Sequence, residues 1–123
     1  MNRVYEKDSF HLQNGKVLTI TFFGHASLMM DYDNFIIYLD PIGDEVDCTF
    51  QPKADIILIT HSHDDHLDNK AISILKKDTT KIISTQEVAN IVDDVKVLKN
   101  NQHIKVKDID IKATEAYNTT GKR

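Results

Sequence analysis

Four consecutive aliphatic residues, Ile56-Ile57-Leu58-Ile59, stop at Thr60, and His61-Ser62-His63-Asp64-Asp65-His66-Leu67-Asp68 follows. A short apolar run bounded by polar residues reads as a buried strand. Three histidines and three aspartates then fall within eight residues of its end. In open α/β sheets, sites gather just beyond the carboxyl ends of strands. This stretch therefore points to a sheet whose edge carries metal-ligand side chains.

The spacing has a physical sense. Residues two apart in an extended segment share a side, so His61 and His63 can converge on one ion. Asp65 and His66 follow at once, and a turn into a helix would swing them to another side, where they can hold a second ion. Imidazole and carboxylate donors without thiolate suit zinc, manganese or iron. Two ions about 3.5–4 Å apart can share a bridging hydroxide, a nucleophile at neutral pH. The bland readings are a solvated His/Asp-rich loop, an adventitious metal site or a helix-capping segment. An HD-type phosphohydrolase also uses adjacent His and Asp, but it is helical, and the Ile-rich strand argues against it.

His61-Ser62-His63-Asp64-Asp65-His66 matches H-x-H-x-D-H after a strand, the signature of the metallo-β-lactamase superfamily. With Phe23-Gly24-His25-Ala26-Ser27 and Leu39-Asp40-Pro41, the chain resembles that superfamily's ascorbate-6-phosphate-lactonase-like branch of metal-dependent hydrolases. The resemblance covers nearly the whole chain. It implies an α/β (α+β) fold, the metallo-β-lactamase-like αββα sandwich. Residues 1–123 would form only the N-terminal αβ half of that domain, with the C-terminal half absent.

The resemblance also implies roles. His61, His63, Asp65 and His66 would ligate one or two divalent ions, zinc foremost and manganese as the alternative. Asp65 would in addition be catalytic, orienting the hydroxide. His25 would face the metal pocket as a catalytic or substrate-contacting group and not as a ligand. Read from the residues alone, His25 beside Gly24 is more readily a structural histidine than a functional one. Asp40 ends a strand before Pro41 and reads either as a turn aspartate or as an acceptor that fixes a ligand histidine's tautomer; the resemblance favours the second. Asp64 occupies a variable motif position, and Asp68 reads as the N-cap of the next helix.

At 123 residues, with 41% hydrophobic and 28% charged, the chain is at most one globular domain with a modest core. A net charge of −4 offers no general attraction to nucleic acid or anionic lipid. The single cysteine, Cys48, excludes an internal disulfide and suits a reducing compartment. No second cysteine or nearby histidine accompanies it, so it reads as a packing or surface residue. The first residues show no secretory pattern, and no run reaches the roughly 20 apolar residues that span a bilayer. The expectation is a cytoplasmic protein with a small-molecule substrate and neither a nucleic-acid nor a membrane partner.

In chain order, Tyr5, Phe10 and Leu12 suggest a short first strand, and Asn14-Gly15 a hairpin turn. Alternation predicts strands over 17–23 and 26–31, and after a turn at 31–34 residues 35–39 read as the return strand. A helix is expected from Asn69 to Lys77. A strand over 81–84 leads into Ser84-Thr85-Gln86-Glu87, which reads as a capping box with Val88, Ile91 and Val92 behind it. Further strands are expected at 95–98, 103–106 and 109–114, the last two as a hairpin. His11 and His103 read as structural or exposed histidines.

Three functions from different classes follow. The first is a metal-dependent hydrolase using metal-bound hydroxide on an ester, lactone or phosphoester, weakly active or inactive as this chain alone. The second is a non-catalytic binding or structural module, pairing an uncovered apolar sheet face with another chain, a second copy included. The third is a phosphodiesterase or nuclease of the same fold, against which the acidic balance weighs.

Overall fold

The structure, a computed structural model, describes residues 5–24, 26–62, 67–107 and 109–114. The alternating segments fold into an antiparallel meander of β1 (Glu6–His11), β2 (Val17–Gly24), β3 (Ser27–Tyr32) and β4 (Phe35–Leu39). Gly15 takes φ +85° in the first turn, where a side chain would be strained. Asp33 and Asn34, at φ +52° and +76°, make the third, since two successive left-handed residues match the twist of the flanking strands. β5 (Ile56–Leu58), β6 (Lys81–Ser84) and β7 (Val95–Val97) then add in parallel to β4, giving a seven-stranded sheet in sequential order. A separate hairpin, β8 (His103–Val106) and β9 (Ile109–Lys112), follows.

Helices α1 (Asn69–Leu75) and α2 (Gln86–Ala89) occupy one face of the sheet. Ala71, Ile72, Leu75 and Val88 pack there against Phe23, Ile36, Tyr38 and Ile57. The opposite face carries Ile37, Ile56 and Ile83, against which Ile104, Val106, Ile109 and Ile111 of the hairpin pack. Neighbours Ile56 and Ile57 thus enter two different cores, both at 0% exposure. That explains the unbroken apolar run: a strand covered on both faces has no polar side.

Several expectations need adjustment. The apolar face expected to be bare is covered in part by β8–β9, while Phe10 and Phe22 near the other edge stay 48% and 41% exposed. Asp68 does cap α1, accepting from the Lys70 and Ala71 amides at 3.0 and 3.2 Å. The Ser84-to-Glu87 capping box does not form. Thr85 is the N-cap, accepting from the Val88 amide, while the Ser84 hydroxyl donates to the Ile59 carbonyl at 2.6 Å. Cys48 is a buried free thiol, and burial pushes it above its ordinary pKa, as expected of a packing residue. His103 is exposed and sits 3.0 Å from Asp110 across its hairpin.

Asp55 joins three elements near the amino ends of the parallel strands. Its carboxylate accepts from the Ile36 amide at 2.8 Å and pairs with Lys77 Nζ at 2.8 Å. Partial burial alone would raise its pKa, but the Lys77 and Ile36 hydrogen bonds and the lysine charge outweigh it and hold the carboxyl below its ordinary value. A depressed folded pKa stabilises the fold fully above the unfolded value of about 3.9. That contribution is lost as pH falls through the lower, folded value. Unfolding free energy measured in urea should therefore decline below about pH 4, and Asp55→Asn should flatten part of the decline. An identical pH profile in Asp55→Asn would show that this carboxylate is not involved.

Candidate functional site

Parallel pairing brings two of the sequence-predicted groups, Asp40 and His61, to one edge. Leu39 at the end of β4 is in register with Leu58 at the end of β5, so Asp40 and the Ile59-Thr60-His61 segment emerge side by side. β6 adds Ser84 at the same edge, since Ile83 pairs with Leu58. The β2–β3 connection arrives there too: Leu28 pairs with Leu39, and the Ser27 hydroxyl donates to the Asp40 carbonyl at 2.6 Å.

Asp40 is 1% exposed and holds φ +46°, a left-handed conformation that aspartate tolerates better than most residues. Every polar group of this residue has a partner. Its amide donates to the Leu58 carbonyl at 2.8 Å, and its carbonyl accepts from Ser27. Oδ1 accepts from the Thr60 amide at 2.7 Å, and Oδ2 accepts from the Thr60 hydroxyl at 2.6 Å. This is why a charged side chain can sit at the end of a central strand without an exposed surface.

Thr60 passes the effect to His61. A hydroxyl has one proton, and here it is donated to Asp40. The hydroxyl oxygen lies 2.9 Å from His61 Nδ1, so Nδ1 must be the donor in that contact. The neutral imidazole is thereby fixed with its proton on Nδ1 and its lone pair on Nε2. A ligand nitrogen needs that lone pair, and an outer acceptor that settles the tautomer is the usual support of a metal-binding histidine. Asp40 thus sits one hydroxyl removed from the imidazole, behind it and not beside it.

The loop after β4 is tied to the helix after the motif. Asp68 uses its second carboxylate oxygen to accept from the Gly43 amide at 2.8 Å. At Gly24, φ is +125°, which favours glycine; a Cβ there would also meet Glu45 Oε2 at 2.5 Å, but that is the end of a flexible side chain that can swing aside. Beside the edge lies a cavity of about 580 Å³ lined by Leu39, Leu58, Thr60, His61, Leu98 and Ile111 among others. It runs between the carboxyl ends of the strands and the β8–β9 hairpin.

Of the residues singled out from sequence, the structure brings Asp40 and His61 together. His25, His63, Asp64, Asp65 and His66 lie outside the described residues. Among the described residues no three His, Cys, Asp or Glu side chains converge, as follows when three of the four proposed ligands are not among them. The donor chemistry nevertheless fits a divalent ion: an imidazole at a strand end, its tautomer fixed so that Nε2 carries the lone pair, backed by a buried carboxylate. Thr60, Ser62, Ser27 and Glu87 were not assigned to the site from sequence. For Thr60 a signal existed, a hydroxyl between the last apolar residue and the first histidine. For Glu87 the sequence pointed to a capping box instead.

Comparison with known proteins supplies a family and several relatives. The family described as "Beta-lactamase superfamily domain" matches residues 19–123. A solved structure from Parabacteroides distasonis, assigned as a metal-dependent hydrolase, is 47% identical and superposes with a TM-score of 0.91 over 96% of this chain and 54% of its own. A UPF0173 metal-dependent hydrolase of Nanoarchaeum equitans is 35% identical over 75 residues, 61% of this chain and 32% of the relative. Its counterpart in Heliobacterium modesticaldum is 39% identical over 79 residues, again 60% of this chain and 32% of the relative. The matched segments span about a third of these curated relatives, and about half of the solved chain. On the match over residues 19–123, this chain belongs to the β-lactamase superfamily domain family.

Proposed function

We propose that this chain carries the amino-terminal part of a metal-dependent hydrolase site acting on an ester, lactone or phosphoester. The observation that carries this reading is the Asp40–Thr60–His61 relay, which presents Nε2 of a strand-end imidazole as a ligand nitrogen. The names of the relatives, metal-dependent hydrolases, support the same chemistry. His61, His63, Asp65 and His66 would hold the metal, zinc foremost and manganese as the alternative. When bound, such an ion polarises a carbonyl or phosphoryl oxygen and acidifies water enough to supply a nucleophile near neutral pH. Asp40 holds the imidazole's proton on Nδ1 through Thr60. The cavity beside His61 accommodates the apolar part of a small substrate, and His25 is assigned as a substrate contact.

The test is zinc titration of the 123-residue chain, followed through the ring nitrogen resonances of His61 and by competition with a chromophoric chelator. Zinc is expected to shift the Nε2 resonance. His61→Ala should weaken binding at least as much as loss of an outer-shell partner, roughly ten- to a hundred-fold. A ring unmoved by zinc, or an affinity unchanged in His61→Ala, would overturn the assignment.

A further inference from the structure

The Ser62 hydroxyl donates to Glu87 Oε1 at 2.6 Å, joining the residue between His61 and His63 to the first turn of α2. We propose that Glu87 is a positioning residue for the metal-ligand loop, acting through Ser62 on the orientation of His61. The inference rests on the site reading above and extends it to a residue 25 positions away that the metal-ligand motif does not include.

The geometry that places Glu87 follows from the sheet. β6 is parallel to β5, so the chain leaving β6 rises beside the chain leaving β5. Thr85 caps α2, and Val88, at 0% exposure, anchors the helix in the core. Glu87 lies between the cap and the anchor, so its backbone is held while its side chain faces the loop. By sequence its carboxylate would serve its own helix in a capping box. Instead Thr85 caps, Ser84 donates to the Ile59 carbonyl, and Glu87 accepts from the Ser62 hydroxyl.

The consequence is that successive residues of the loop are tethered from different elements. Ser84 holds the Ile59 carbonyl, Asp40 holds the amide and hydroxyl of Thr60, and Glu87 holds Ser62. His61 thus stands between two neighbours each fixed by a carboxylate. A ligand side chain must be held within a fraction of an ångström to bind metal well, and bonds to its neighbours accomplish that when its own ring must stay available. The Ser62–Glu87 bond is charge-assisted and short, yet exposed, so it should order the loop while adding little to global stability.

The experiment compares the unsubstituted chain with Ser62→Ala, Glu87→Ala, Glu87→Gln and the double Ser62→Ala/Glu87→Ala variant. The first readout is the nitrogen shift pattern of the His61 ring without metal, at mildly alkaline pH. The second is zinc affinity. The unsubstituted chain should show a single Nδ1–H tautomer. Ser62→Ala and Glu87→Ala should each move the ring toward averaged tautomers and weaken zinc binding by roughly tenfold, with the melting temperature scarcely changed. Glu87→Gln, whose side-chain oxygen still accepts from Ser62, should restore most of the affinity. The double variant should be no worse than the weaker single, because both remove one interaction. Variants identical to the unsubstituted chain in tautomer and affinity would overturn the role of Glu87 and leave the site standing. An unsubstituted chain without the Nδ1–H signature would remove the site reading itself, and this inference with it.

Discussion

Asp40→Asn is expected to abolish the presentation of His61 as a ligand while leaving the fold intact. Asparagine tolerates the left-handed backbone that Asp40 adopts at φ +46°, and its side-chain oxygen can still accept from the Thr60 amide. The other terminal group then becomes an NH2 facing the Thr60 hydroxyl, where the carboxylate had been an acceptor. That hydroxyl must now accept from the asparagine and donate its proton onward to His61 Nδ1. The imidazole switches to the Nε2–H tautomer, and the lone pair moves to the wrong nitrogen. The reverse orientation of the amide would set its NH2 against the Thr60 N–H, two donors face to face. Zinc affinity should fall by roughly ten- to a hundred-fold, with a reversed nitrogen shift pattern in the His61 ring. Unaltered affinity and an unaltered ring would show that the relay does not govern the histidine.

Ile57→Ala is expected to cost the most stability. Ile57 is 0% exposed on the helix-covered face, in the cluster that includes Phe23, Tyr38 and Leu75. Truncating a fully buried isoleucine typically loses about 2–5 kcal/mol from lost transfer energy and the cavity left behind. That is a large share of the roughly 5–15 kcal/mol that holds a domain of this class together. The urea midpoint should fall with an unchanged slope. β5 has three residues in the sheet and delivers His61 from its end, so a packing defect there is felt at the site as well. A loss below about 1 kcal/mol would mean that the neighbouring side chains close the gap, contrary to the usual partial relaxation of cores.

Much of the architecture was legible because its causes are local. Period-two alternation marked β2 and β3, and two turn residues that accept positive φ marked where β4 begins. The run Ile56 to Ile59 announced a strand buried on both faces, and Asp68 announced the start of α1. The β8–β9 hairpin was readable from its alternation. The capping box at Ser84 misled for a physical reason. Its hydroxyl and the Glu87 carboxylate had better partners across the sheet edge, on Ile59 and Ser62, than within their own turn.

By itself, then, the sequence determined the ligand-type residues, the strand that carries them and the family to which they point, because residue type and periodicity act over a few positions. Only the tertiary structure decided which hydroxyl faces Nδ1 of His61, and which carboxylates brace the loop around it. Those outcomes depend on β4, β5 and β6 lying parallel and in register, so that Asp40, Thr60, Ser62, Ser84 and Glu87 meet at one edge from separate parts of the chain. A hydrogen bond is settled by distances of a few tenths of an ångström, and no spacing along the chain specifies these until the sheet has formed.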